Sequence, residues 1–360
     1  MPVFERIEAD DYEQVVFCHH RPSGLRAIVA VHSTALGPAL GGTRFYPYAS
    51  EEDAFTDVLR LAKGMTYKAA MAGLDLGGGK AVILGDPARD KSEALLRAFA
   101  RYVDTLGGRY ITAEDVGTTQ ADMDLIRRET RWVTGVSQSL GGSGDPSVAT
   151  ATGLYYAMKA TAHHLWGDGS LEDRHVTVAG VGKVGYAVVR HLVEERARVT
   201  VADTSSAAVE RAVADFGVES TAVETIHTLE CDIHAPCALG ATLNEVTIPQ
   251  LRCAAVCGCA NNQLAGDGDD KALAEAGILY APDYVVNAGG IINISEELRG
   301  YNQARAEVGL RRVYDNILAV FERAAADGIT TAAAADRLAE ARIEAVGRLG
   351  LIRPPAPPNR

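Results

Sequence analysis

Residues 174–203 read RHVTVAGVGKVGYAVVRHLVEERARVTVAD. An apolar run stops at a glycine, and Gly180-Val181-Gly182-Lys183-Val184-Gly185 follows in the spacing G-x-G-x-x-G. VGYAVVRHLVEERA then spaces its apolar residues as an amphipathic helix does, and RVTVAD is a second apolar run closed by Asp203. The order predicts strand, tight turn, helix, strand. Glycine there lets the backbone approach a pyrophosphate, and the N-terminus of the helix attracts its charge. Asp203, 18 residues past Gly185, is placed to accept hydrogen bonds from ribose hydroxyls. The residues after it are Thr204, Ser205 and Ser206, with no arginine to receive a 2′-phosphate. NAD is therefore expected rather than NADP. The alternative is a βα turn that needs glycine for packing alone.

Strand and helix signals alternate on through AAVERAVADFG and CDIHAPCA, and short apolar runs continue in AAVCGCANN, GILYAPD and YVVNAGG. That alternation predicts a parallel sheet covered by helices, an α/β doubly wound Rossmann fold. Ahead of it, GGSGDPS at 141–147 reads as a hinge, and VATATGLYYAMKATAHHLWG as a long helix. The N-terminal half has a different rhythm. YEQVVFCHH and GLRAIVAVHS read as a hairpin around RPSG, and SEEDAFTDVLRLAKGMTYKAAM as a helix capped by Ser50. KSEALLRAFARYVDTLGG is a second helix, RYITAEDVGT a strand running into a loop, and ADMDLIRRET a short helix. At 360 residues two domains are expected. We place them at 1–140 and 141–330, with 331–352 as a C-terminal helix packing back on the first and the proline-rich 353–360 disordered.

Thirty-five basic against 47 acidic residues give a net charge of −12, which argues against nucleic acid or an anionic membrane as a main partner. No apolar run reaches membrane-span length, and MPVFERIEADDYEQ lacks the apolar stretch of a signal peptide, so a cytoplasmic protein is expected. None of the six cysteines forms a C-x-x-C pair, and Cys253, Cys257 and Cys259 read as small buried residues, so no metal is expected.

LDLGGGKAVILGDP, 74–87, poses the functional question. A phosphate loop would need a first glycine where Leu74 stands and a hydroxyl where Ala81 stands. It would also run strand, loop, helix, whereas AVIL reads as a strand. The remaining reading is that glycines admit a small ligand and Lys80 is aimed at it. Lys68 stands 12 residues earlier, and Asp115 sits in TAEDVGT after a strand. Each alone is unremarkable. Together they are what oxidation of an amino acid requires: a cation for the α-carboxylate, an amine near Cα and a carboxylate to shuttle protons.

LGPALGGTRFYPYAS, LDLGGGKAVILGDP, RYITAEDVGTTQADMD, CANNQLA and GILYAPDYVVNAGGIINISEEL, in that order, resemble the glutamate/leucine/phenylalanine/valine dehydrogenase family, closest to its branched-chain members. The resemblance implies an N-terminal α/β domain for substrate and oligomerisation, a C-terminal dinucleotide domain, and an active site in the cleft between them. It implies Lys68 on the substrate carboxylate, Lys80 as general base and Asp115 as proton carrier. An amine with an ordinary pKa near 10.4 must be lowered for that work, by burial and by a cation such as Lys68. It implies Leu40, Ala113, Ile291 and Ile294 around the substrate side chain, with Gly41, Gly42, Asn262 and Asn287 beside the substrate. Thr150 and Asn261 would hold the nicotinamide carboxamide, and Gly180 to Gly185 with Asp203 the rest of the dinucleotide. The implied reaction is NAD-dependent oxidative deamination of a branched-chain L-amino acid by a homo-oligomer. A phenylalanine-selective member, a 2-hydroxy-acid dehydrogenase and a non-catalytic NAD sensor are the alternatives. One departure is CGCANN, where relatives carry a smaller run.

Overall fold

The computed structural model describes residues 3–266 and 268–351. The chain divides into two compact units. One is built from the residues up to Gly142 with the described residues from Arg337 on, the other from Ser143–Asp336. The expected tail at 353–360 lies outside the described residues.

The first unit opens with a short helix, α1 (Val3–Ala9), and runs through β1 (Gln14–His20), β2 (Leu25–Ser33) and β3 (Ala39–Tyr46). Then come α2 (Glu51–Met71), β4 (Gly77–Leu84), α3 (Glu93–Thr105), β5 (Tyr110–Glu114) and α4 (Gln120–Ile126). The sheet order is β1-β2-β4-β3-β5. β1, β2 and β4 pair antiparallel, while β4, β3 and β5 run parallel. Ser50 caps α2 by accepting from Asp53 N at 3.1 Å, with Glu51, Glu52 and Asp53 in the first turn where the helix dipole favours anions. Ser92 caps α3 in the same way.

Side-chain alternation divides the sheet between two cores. Ala27, Val29 and Val31 of β2, with Ala81 and Ile83 of β4, pack with Leu95, Leu96, Phe99 and Val103 of α3. Ile28, Ala30 and Val82 pack on the other face with Ala54, Phe55, Val58, Leu59 and Ala62 of α2. Even-numbered residues of β4 therefore face α2, and Lys80 is one of them. Ala39 and Phe45 of β3 join the α3 core, so Leu40, Gly42 and Arg44 also face α2. Gly42 pairs with Ala113 of β5, which puts Ala113 on that face too.

The glycines of LDLGGGK lie inside β4, which begins at Gly77 rather than after Lys80. A Cβ at Gly77 would stand 1.9 Å from Ser33 O, one at Gly78 2.0 Å from Thr66 N of α2, and one at Gly79 2.8 Å from the Tyr110 ring. These glycines are filled in by protein. The expectation that they admit substrate gives way to close packing of a helix and two strands.

The second unit contains α5 (Ser147–Trp166), β6 (His175–Ala179), α6 (Lys183–Glu194), β7 (Arg198–Ala202), α7 (Ser206–Phe216), β8 (Glu219–Ser220) and β9 (Glu230–Pro236). It continues with β10 (Arg252–Val256), α8 (Asp269–Glu275), β11 (Leu279–Tyr280), α9 (Asp283–Val286), α10 (Gly289–Ser295) and α11 (Gln303–Asp327). The sheet order is β11-β10-β9-β6-β7-β8, every pair parallel. Renumbered from β6, that is 3-2-1-4-5-6, the order of the Rossmann fold. YVVNAGG, expected to continue the apolar runs, is helical. A Cβ at Gly289 would stand 2.2 Å from Ala149 O, so the glycine pair lets α10 lie against the start of α5.

The last helix, α12 (Thr331–Gly347), begins in the second unit and ends in the first. There Arg342 Nη1 donates to Leu74 O at 2.8 Å and Glu340 accepts from Tyr67 Oη at 2.9 Å. Among the described residues no helix is long and apolar enough to cross a membrane.

Candidate active site

In the first unit Leu40, Gly42, Lys80 and Ala113 share the face of the sheet toward α2, and Asp115 follows the C-terminal end of β5. Lys80 is 6% exposed, and its ammonium forms an ion pair with Asp115 Oδ2. Asp115 follows β5 and is held from several sides. Its backbone N donates to Thr118 Oγ1 at 2.9 Å, and Thr118 Oγ1 donates to Thr43 O at 2.9 Å. Val116 N donates to Asp115 Oδ1 at 2.6 Å. Gly117 completes the turn at φ +79°, where a Cβ would stand 1.9 Å from Phe45 O. Burial alone would raise the Asp115 carboxyl, but Lys80 and then Arg44 outweigh it, and its pKa lies below the ordinary value. The sequence reading put a cation beside Lys80; the ion pair found there is with a carboxylate.

Lys68 is half-buried on α2, the helix that covers this face of the sheet. Leu40 is fully buried and Ala113 nearly so. Gly42 packs on the Asp115 loop, since a Cβ would meet Glu114 O at 2.5 Å and Asp115 Cβ at 2.9 Å. Gly41 O accepts from the buried Tyr110 hydroxyl at 2.6 Å. Both glycines thus have structural work independent of any ligand.

One residue here was not singled out from sequence. Arg44 Nη1 donates to Asp57 Oδ2 of α2 at 2.8 Å, and its Nη2 stands 3.7 Å from Asp115 Oδ1. Its signal was available: a charged residue in LGGTRFYP at the parity of Leu40.

In the second unit the glycine turn fits a dinucleotide. Gly180 adopts φ +109°, and a Cβ there would meet Ala238 at 2.6 Å, across the switch point between β6 and β9. Gly182 caps α6 with nothing within 4 Å of its Cβ position, which leaves open space at the helix N-terminus, and Lys183 and Val184 begin the helix. A Cβ at Gly185 would stand 1.9 Å from Gly180 O. Asp203 Oδ2 accepts from Val181 N at 2.8 Å and Oδ1 from Ser205 N at 2.9 Å, so the turn itself fixes the carboxylate. Lys183 Nζ donates to Asp145 at 2.7 Å.

Asn261 and Asn287, far apart in sequence, meet: Asn287 Nδ2 donates to Asn261 Oδ1 at 2.8 Å and to Cys259 O at 3.2 Å. Asn287 is buried, and its Oδ1 has no hydrogen-bond partner. Gln263, also not foreseen, is fully buried and donates to Gly258 O and Ala260 O, bracing this loop. Asn262 is exposed at φ +52°, a conformation asparagine tolerates, and its O accepts from Ala241 N at 2.7 Å. Thr150, near the start of α5, donates to Pro146 O at 3.0 Å, and a Cβ at Gly290 would touch its Oγ1 at 3.0 Å. Ile291 and Ile294 lie three apart on α10, on one side of the helix, the first buried and the second half-buried. Cys259 packs against Cys237, which together with burial pushes its thiol well up. Among the described residues no group of three or more His, Cys, Asp or Glu could hold a metal ion.

Residues 12–132 match the Glu/Leu/Phe/Val dehydrogenase dimerisation domain, and 141–212 with 207–349 match glutamate/leucine/phenylalanine/valine dehydrogenase. The chain is 56% identical over 343 residues to leucine dehydrogenase of Bacillus cereus, covering 95% of this chain and 94% of that protein. It is 57% identical over 336 residues to valine dehydrogenase of Streptomyces coelicolor, covering 92% of each. The crystal structure of L-tryptophan dehydrogenase from Nostoc punctiforme superposes with a TM-score of 0.85 at 43% identity, covering 96% of this chain and all of that one. A buried lysine–aspartate pair on one unit, a glycine turn with its fixed aspartate on the other, and these likenesses along nearly the whole length have one reading: the chain belongs to the glutamate/leucine/phenylalanine/valine dehydrogenase family of amino-acid dehydrogenases.

Proposed function

We propose that the chain catalyses NAD-dependent oxidative deamination of a branched-chain L-amino acid to the 2-oxo acid and ammonium, and the reverse reductive amination. The observation that carries this reading is the Lys80–Asp115 pair, its lysine buried on the α2 face of the strands with Leu40 and Ala113. In the proposed roles Lys68 binds the α-carboxylate. Asp115, held ionised, takes a proton from the substrate ammonium so that nitrogen can push. NAD, when bound, supplies the hydride acceptor. Lys80, once its ammonium has released its proton to solvent, takes a proton from the water that adds to the imine carbon. Asp115 returns its proton to the nitrogen, and the carbinolamine hydroxyl proton goes to solvent as the C–N bond breaks and ammonia leaves to become ammonium. Asn287 Oδ1, a buried acceptor without a partner, suits an N–H of the substrate.

NAD is favoured over NADP because the fixed Asp203 carboxylate, followed by Thr204, Ser205 and Ser206, repels a 2′-phosphate. An apolar wall of Leu40 and Ala113 leaves a charged side chain without compensation for lost hydration. The leucine and valine dehydrogenases among the relatives support the same substrate class. We assign substrate binding and homo-oligomerisation to 1–140, dinucleotide binding to 141–330 and a cytoplasmic location.

The test is NADH formation from NAD with L-valine, L-leucine, L-isoleucine, L-phenylalanine, L-glutamate and L-lactate. Turnover highest with the branched-chain acids supports the reading. Preference for L-phenylalanine would move it to the aromatic member, preference for L-lactate would overturn the reaction class, and NAD binding without turnover would favour a sensor.

A further inference from the structure

Arg44 has no part in the mechanism above, yet its guanidinium is bonded to the helix carrying Lys68 and faces the candidate catalytic carboxylate. Its side chain is 22% exposed, and its Nε is buried without a hydrogen-bond partner. A guanidinium held so incompletely is costly to bury unless its charge is used. Two carboxylates flank it. Asp57 of α2 takes Nη1 at 2.8 Å, and Asp115 Oδ1 lies 3.7 Å from Nη2. Asp57 is itself fixed by the Tyr48 hydroxyl at 2.6 Å and by Arg60 at 3.0 Å. The charges thus run Arg60, Asp57, Arg44, Asp115, Lys80, alternating in sign from the surface of α2 into the candidate site.

We propose that Arg44 is a positioning residue for the Lys80–Asp115 pair, holding the Asp115 carboxylate ionised and aimed, and anchored for that purpose on α2 by Asp57. This rests on the reading of Lys80 and Asp115 given above. Geometry separates the labour: Asp115 Oδ2 meets Lys80, while Oδ1 meets the Val116 amide and faces Arg44. With Oδ1 held by the Val116 amide and facing Arg44, the carboxylate stays aimed when Lys80 gives up its proton. Tyr110 is the further titratable group felt at Asp115, buried in β5 and shifted upward chiefly by that burial, so it stays neutral. Lys80 and, after it, Arg44 bring positive charge to Asp115, and Asp57 is the anion that competes for Arg44.

The experiment is the pH profile of kcat/KM for deamination of L-valine in the intact enzyme. It compares wild type with Arg44→Gln, Arg44→Lys, Asp57→Asn and Lys80→Ala, each checked for its melting temperature and for NADH binding. Removing a cation raises every nearby pKa, so Arg44→Gln moves the acid limb to higher pH by about one unit, the low end of what one close charge does. Arg44→Lys, which keeps the charge, returns most of that shift. Asp57→Asn removes an anion and moves the limb the other way. Opposite shifts in the two neutralising variants are the signature, because a merely structural role would lower activity in both without moving the limb in opposite senses. Equal profiles in Arg44→Gln and wild type would overturn the proposal, as would shifts of one sign in both variants. If Arg44→Gln does not fold, the Asp57→Asn shift alone decides. Should Lys80→Ala keep wild-type activity, the reading of the catalytic pair fails instead, whatever Arg44 does.

Discussion

Gly78→Ala separates two accounts of the glycine run. If glycine at 78 exists to admit substrate, a methyl group there raises KM and leaves the fold alone. The structure says otherwise. The added Cβ would lie 2.0 Å from Thr66 N, 2.2 Å from Thr66 Oγ1 and 2.5 Å from Thr66 Cα, where ordinary contact begins near 3.4 Å. Two of these atoms are backbone of α2, so no rotamer change relieves the clash, and the helix must retreat from β4 by on the order of 1 Å. Overpacking costs about 1–3 kcal/mol, and a backbone clash belongs at the upper end. At about 2–4 °C per kcal/mol for a unit of this size, the melting temperature falls by about 6–12 °C. The same retreat carries Lys68 away from Lys80, and a misplacement of that size costs about 10²-fold in rate. Gly64→Ala is the control: Gly64 lies on the same helix, exposed, with nothing within 4 Å of its Cβ position, and alanine there adds about 0.5–1 kcal/mol of helix stability. The assays are thermal unfolding and deamination kinetics. A Gly78→Ala protein that melts within about 2 °C of wild type, less than 1 kcal/mol, and differs only in KM would refute the packing argument.

Lys80→Ala is expected to bind NADH as wild type does and to lose about 10²–10⁴-fold in kcat; retention of more than about a tenth of the rate removes Lys80 from the general-base role. Asp203→Ala deletes the acceptor of Val181 N and Ser205 N, so NAD affinity should fall and the NAD-to-NADP ratio of kcat/KM should narrow; a wild type that uses both cofactors equally refutes this. Leu40→Ala or Ile291→Ala should raise kcat/KM for L-phenylalanine relative to L-valine, and an unchanged ratio would take both residues out of the pocket wall. Asp115 gives a pH dependence of stability. Its folded pKa lies below its unfolded one, so its contribution is complete above about pH 3.9 and is lost as pH falls through the folded value. The stability gap between wild type and Asp115→Asn, from urea unfolding, should close below about pH 4, and a gap that is flat in pH would show that the carboxylate is not held ionised by its neighbours.

What was legible in the sequence was local. The hairpin of β1 and β2, the cap at Ser50, and the βαβ turn at Gly180 are written in spacing over a few residues. YVVNAGGIINIS was not legible as helix, because β-branched residues and a glycine pair argue for strand and turn. What makes it helical is Ala149 and Thr150, more than a hundred residues earlier, against which Gly289 and Gly290 pack. The purpose of the glycines before Lys80 was hidden for the same reason. Their positions are in the sequence, but the atoms that forbid a side chain belong to Ser33, Thr66 and Tyr110.

β3 shows how one piece of register recovers a site. LGGTRFYP has two glycines and an arginine where a strand should alternate apolar and polar, so no strand was read there. Once Leu40 is assigned to a pocket wall, strand parity sends Gly42 and Arg44 to the same face. An arginine on a covered face needs an anion, and the helix over that face begins with acidic residues. Of Glu51, Glu52, Asp53 and Asp57, Asp57 lies 11 residues from Lys68, about three helical turns, and so shares its side of α2. That identifies the partner at 2.8 Å from Arg44. Asp115, two residues beyond Ala113, continues the same parity past the end of β5, which brings it to Arg44 and Lys80 together. A single strand register, combined with alternation and the helical period, therefore carries the reading from one apolar residue to the whole charged cluster.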